Sequence, residues 1–214
     1  MRPIVITTTA LTDDANGIAE DQTTSGADTL TLDGTLVSGG VATAAEAQIV
    51  GIEGSGDNTG VDFTVTGTDA DGKTISQTID GVSNSTAVTT AFFKTVTSIT
   101  VDGAVTGNVE AGWESANGGV TKSIPTNWVQ NPYTQSLFID VTGTISATVH
   151  HTENDPEGTA YASSFSTDAT WRATTGLTTV SADAESNIAF PVRGVRVNVH
   201  SGTGTLVFTT IQGA

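Results

Sequence analysis

Two of the chain's three histidines and three of its carboxylates fall within TVHHTENDPEG, residues 148–158. Imidazoles and carboxylates at this density are what a metal centre or a general acid/base pair is made from. A strand reading separates them. If TISATVHH is extended, adjacent side chains point to opposite faces, so His150 and His151 cannot chelate one ion. Alternation from Ile145 and Ala147 through Val149 puts His151 on the inner face and His150 outward. His151 and Glu153, two apart on one face, could share a ligand. His200 sits on a different strand, on the face of Arg196 and Asn198. Asp155-Pro156-Glu157-Gly158 has the residues of a turn. The expectation is no metal and no cofactor. Instead a strand leaves its sheet at His151 and opens a long loop, Glu153 to Trp171, that touches a neighbouring molecule.

The other candidate chemistry is thinner. Asp69, Asp71 and Gly72 resemble the start of a calcium loop, but TISQTID supplies neither the further oxygens nor the closing glutamate. A hairpin turn explains all three residues. No nucleophile elbow of the G-x-S-x-G kind occurs, nor a phosphate-cradling loop ahead of a helix. Without cysteine there is no disulfide, thiolate ligand or thiol nucleophile. Carboxylates are plentiful enough for a paired-carboxylate glycosidase, yet abundance does not place two of them across a sugar. Trp113, Trp128, Tyr133, Tyr161 and Trp171 gather in irregular segments rather than along strands. Rings in such places anchor a loop to its own domain or to a neighbouring subunit, and they form the candidate interface set. They could also stack on sugar rings. The expectation is that the chain is not an enzyme.

The elements that would position these residues are strands. Alternation with period two recurs throughout, and Thr is about a fifth of the 214 residues. VDFTVTGT puts Val61, Phe63 and Val65 on one face, meets DADGK, and returns as KTISQTIDG, a hairpin about Asp71-Gly72. The same device is expected at Asp33-Gly34 and at Asp102-Gly103. In AVTTAFFKTVT, Phe93 and Val96 cannot both face inward on a regular strand, which predicts a bulge or break near Lys94, on an edge strand. SLFIDVTGTISATVHH reads as two strands about Gly143, and VRGVRVNVHSGTGTLVFTTIQGA as a closing hairpin. ESANGGVTKSIPTNWVQNPY loses the alternation and carries two prolines. The expected architecture is all-β with little or no helix. Two β-sandwich or jelly-roll-like regions, 1–112 and 134–214, are joined by a polar crossing over 113–133.

Seven basic against 23 acidic residues leave a formal charge of −16. Such a surface repels phosphate backbones and anionic lipid, so neither nucleic acid nor a membrane is an expected partner; the charge reads first as a highly solvated acidic exterior and second as a docking surface for a basic partner. No stretch approaches the roughly 20 apolar residues of a membrane-spanning helix, and MRPIVITTTALTDD lacks the apolar core of a signal peptide.

The segment FTVTGTDADGKTISQTIDGVSNSTAVTTAFFKTVTSITVDGAVTGNVEAG, residues 63–112, resembles a pattern of structural proteins of tailed bacteriophages. In that pattern a strand ending V-T-G-T-D, a D-x-x-G turn and a T-x-T-I strand precede F-K-T-V-T-S-I-T-V and a T-G-N-V ending. VRGVRVNVHSGTGTLVFTTIQ looks like the last hairpin of the same group, and residues 10–40 resemble its opening more loosely. The resemblance implies a non-enzymatic virion component. Foremost is a capsid decoration (cement) protein on the capsid exterior, made in the host cytoplasm, that bridges subunits of the major capsid protein or another virion protein. A homo-oligomer, a trimer foremost, is implied as well. The alternative is a neck, tail or fibre component with a carbohydrate-binding, host-adhesion role.

Overall fold

A computed structural model of the chain describes residues 3–11, 13–155, 169–200 and 202–213. These residues are all-β, with seventeen strands and no helix among them. They divide into two units, one of residues 12–117 and one of residues 1–11 with 118–214.

In the 12–117 unit the expected hairpin is present. Strand β6 (Asp62–Thr68) pairs with β7 (Thr74–Asp80) in unbroken antiparallel register. Its turn is set by Asp69, whose Oδ1 accepts the N–H groups of Asp71 and Lys73, both at 2.9 Å, while Gly72 takes φ +81°. The carboxylate that looked like a calcium ligand is spent on its own turn. Alternate residues Phe63, Val65 and Ile79 go into the core, and the opposite face zips hydroxyls: Thr64 to Thr78 at 2.8 Å and Thr66 to Ser76 at 3.0 Å.

The phase change near Lys94 is real, but its strand is not an edge. Strand β9 (Phe93–Val101) lies between β6 and β5 (Val41–Gly54). Against β6, Ser98 faces Thr66 and Val96 faces Gly67, so Thr97 is the extra residue of a bulge. That residue restores Val96 to the side of Ile99, and Phe93, Val96 and Ile99 are all fully buried. The bulge also explains Gly67, where a Cβ would stand 1.8 Å from the Thr95 carbonyl oxygen.

The other two predicted turns do not make hairpins. The stubs flanking Asp33-Gly34, β3 (Asp28–Thr29) and β4 (Val37–Ser38), pair with β9 and β5 and not with each other. Asp33 instead accepts the Glu20 N–H at 2.9 Å, and Gly34 lies against the backbone of Asn16 and Gly17. Asp102 accepts the Asp62 N–H at 2.8 Å, and the strand after it, β10 (Val109–Val120), pairs with β2 (Asp14–Gln22) and β5. Strand β8 (Thr86–Val88) also pairs with β5. Asp-Gly marks a chain reversal; it does not choose the partner strand.

Two boundaries differ from the sequence reading. Strand β10 continues through the expected crossing to Val120, its alternation hidden by register shifts against β2 and by Gly118 at φ +71°. Strand β1 (Ile4–Thr9) belongs with the C-terminal residues, because its six-residue register is with β17 (Thr205–Gln212).

The unit of residues 1–11 and 118–214 has two sheets. One runs β1–β17–β12–β15, with β12 (Gln135–Thr142) and β15 (Ala184–Ile188). The other places β16 (Gly194–Val199) beside β13 (Ala147–Thr152), with β14 (Arg172–Ala173) beyond β13. The stub β11 (Ile124–Pro125) and the end of β10 lie on the far side of β16. Leu137, Ile139, Leu206 and Phe208 from the first sheet join Val149, Val195, Val197 and Val199 from the second in one buried cluster. The expected closing hairpin does not form: β16 and β17 sit in different sheets, and so do the two strands about Gly143, β12 and β13, so the chain passes between sheets near Gly143 and near Gly202–Gly204. These two crossings touch: Thr203 N–H donates to the Thr144 carbonyl at 2.6 Å, and a Cβ on Gly202 would lie 2.1 Å from that same oxygen.

Gly67→Ala and Gly202→Ala each drive a methyl group into a backbone carbonyl, so each is expected to cost about 1–3 kcal/mol in urea or thermal unfolding. Gly26→Ala, with open space around its Cβ, is the control and should stay close to wild type.

Candidate functional site

The two adjacent histidines separate as strand geometry requires. His151 is on the core face of β13, 7% exposed, with Nδ1 3.0 Å from Thr174 Oγ1 and its ring edge-on to Phe190 at 5.5 Å. His150 faces the other way. What sequence reasoning missed is its company. Strand β13 pairs with β16 so that His150 stands opposite Arg196 and Thr148 opposite Asn198. The face assigned to His200 is therefore also the face of His150. His200 Nε2 lies 3.4 Å from Thr148 Oγ1, and the Arg196 guanidinium lies 4.1 Å above the Trp171 ring. The signal was present in the alternation Arg196, Asn198, His200; it was lost by assigning β17 as the partner of β16.

This face carries buried polar side chains. Arg196 is 6% exposed, and His150 Nδ1 and Asn198 Oδ1 are buried without a hydrogen-bond partner among them. Burial, with the positive charge of Arg196 next in weight, depresses the His150 pKa to about 4. Burial also lowers His151 and His200. A neutral imidazole is an acceptor and a potential ligand. Even so, no group of three or more His, Asp or Glu among the described residues is placed to hold a metal ion.

The second concentration of titratable groups is acidic and belongs to the 12–117 unit. Burial and the neighbouring carboxylates of Asp21 and Glu53 raise the pKa of Glu110; burial, Asp13 and Glu53 raise that of Glu114. These like charges share one region across β2, β10 and β5 and leave the strip electronegative. The unit as a whole repeats the pattern. Residues 12–117 hold 16 of the 23 acidic and two of the seven basic residues, a net −14 against −2 for the rest.

The five aromatic residues of the candidate interface set do not form one site. Trp113 is a core residue of β10, 1% exposed. Tyr133 is 7% exposed and donates to Gln135 Oε1 at 2.7 Å, and Gln135 in turn donates to Thr210 Oγ1 at 2.8 Å. Neither offers a surface to a partner; strand continuation at Trp113 and a buried amide beside Tyr133 draw them inward. Trp128 is 44% exposed, with Arg193 4.1 Å over its ring and Arg193 in turn paired to Asp155 at 2.6 Å. Trp171 is half-buried under Arg196. Tyr161 and most of the loop from Glu153 to Trp171 lie outside the described residues.

A scan against protein-family models finds none that matches the chain, and searches of curated proteins and of solved structures return no match.

The His150 environment has a pH signature. Its folded pKa lies below the ordinary value near 6.5. Between about pH 6.5 and 4 the unfolded chain therefore takes up a proton that the folded chain refuses. Stability is full above that window and falls as pH drops through it. Thermal unfolding across the window should show this slope, reduced in His150→Gln; His151 and His200 add to the remainder, while Glu110 and Glu114, with raised pKa values, oppose it. An unchanged slope in the variant would refute the assignment.

Proposed function

We propose that the chain is a non-enzymatic structural protein of a bacteriophage virion, a capsid decoration protein that binds the outside of the head and bridges neighbouring capsid subunits. The observation that carries the reading is the coherence of residues 63–112. V-T-G-T-D, the D-x-x-G turn, the T-x-T-I strand and F-K-T-V-T-S-I-T-V occupy β6, its turn, β7 and β9 as consecutive neighbours in one sheet. The segment that resembles phage structural proteins therefore folds as one block.

Two properties of that block suit attachment to a shell. Its hydroxyl-lined outer face, zipped by Thr64, Thr66, Thr68 and their partners, is braced by cross-strand hydrogen bonds above a packed apolar core. The unit that contains it, residues 12–117, carries a net −14, which favours docking on a basic surface and speeds the encounter at low salt. A lasting attachment would bury roughly 800 Å² per partner. The adhesion reading loses weight, because Trp113 and Tyr133 are buried and cannot stack on a sugar.

Virions of the phage encoding this chain should carry it on the head exterior at a copy number tied to capsid symmetry, measured by quantitative mass spectrometry of purified particles. Six or twelve copies would move it to the neck or tail. Its retention on the head should weaken as salt shortens the Debye length below about 10 Å.

A further inference from the structure

Edge strands with free backbone groups are the places where a β protein recruits another strand, and natural proteins blunt them with charge, proline, bulges or brevity. The edges among the described residues differ in this respect. Strand β7 is flanked by Lys73 and closed by Asp80, and its Gln77 side chain bonds Thr90 and the N–H of Ala91. Strand β15 carries Glu185 and follows Asp183. Strand β14 has two residues. Strand β1, IVITTT, is preceded by Pro3 but has none of these protections within it. It is six residues long, free of charge, Gly and Pro, and held to β17 in unbroken register, with no bulge to turn the edge away. It ends the sheet order, and Ile4 and Val5 are 39% and 54% exposed.

We infer that β1 is an assembly edge whose occupant is β1 of a second copy of this chain, paired antiparallel about a twofold axis so that one sheet runs through both molecules. Three observations favour a second copy over a foreign strand. The first is charge: residues 3–11, PIVITTTAL, carry none, and β1 belongs to the unit with net −2. Two copies approach there with little repulsion, whereas contact through the units at −14 is opposed. The second is self-complementarity. A twofold at Ile6 keeps like faces together and sets Val5 of each copy opposite Thr7 of the other. The third is that the chain already builds this kind of pairing from the same residue types: against β17, Val5 stands opposite Thr209 and Thr7 opposite Val207. The edge does not depend on the decoration reading; a dimer formed this way would serve any assembly protein.

The test uses the full chain at micromolar to millimolar concentration, with mass by sedimentation velocity and amide exchange of residues 4–9. The expected result is a concentration-dependent dimer in which those amides slow as the dimer fills. Val5 and Thr7 are exposed, so Val5→Lys/Thr7→Lys and the matching Val5→Glu/Thr7→Glu should keep the fold and the dilute-limit melting temperature. Either like-charge pair should leave a monomer of 21.7 kDa. A wild-type chain that stays monomeric overturns the inference. So does an oligomer of any size whose residue 4–9 amides exchange as fast as in the monomer. Should a variant misfold, the wild-type exchange data still decide.

Discussion

The unit of residues 1–11 and 118–214 depends on one close backbone contact, where two inter-sheet crossings meet at Gly143, Thr144 and Gly202–Gly204. Each crossing moves the chain out of one sheet and into the other. Because the crossings run side by side, β12 and β17 become neighbours in the first sheet and β13 and β16 become neighbours in the second. That exchange turns Leu137, Ile139, Leu206 and Phe208 toward Val149, Val195, Val197 and Val199, and closes the core. It also puts His150 opposite Arg196 and leaves β1 outside β17 as the end strand of its sheet among the described residues. Glycine at these positions is a steric requirement, since a methyl group at Gly202 would occupy the space of the Thr144 carbonyl.

The same logic shows how far the sequence could be read. Period-two alternation located most of the longer strands and the inward residues, and it separated His150 from His151 correctly. It placed the Asp71-Gly72 turn because there the local signal and the pairing agree. It failed where partners are remote. Nothing in VRGVRVNVHSGTGTLVFTTIQ says that its two strands join different sheets, and nothing in IVITTT says that its partner lies two hundred residues on. The irregular edge strand expected near Lys94 is a central strand because one extra residue, Thr97, repairs the phase. The candidate site suffered in the same way: each polar residue of the β13–β16 face was visible, but their meeting depends on a pairing that adjacent-strand logic misassigned.

The two units divide the physics between them. One concentrates negative charge on a strand-and-turn scaffold braced by hydroxyl pairs, with the pKa values of Glu110 and Glu114 raised by burial and by nearby carboxylates. The other is nearly neutral, carries the histidines and arginines, and ends in the uncharged strand β1. A chain of this kind can meet a basic surface with one unit while meeting its own copy with the other, a division suited to a protein that covers a shell at many equivalent places.

The most direct measurement of that account is an image of the phage head with and without this protein. Decoration predicts difference density on the outer surface at each equivalent lattice position, with the acidic residues 12–117 against the shell. Density confined to the portal vertex or the tail, or none on the particle, would contradict it.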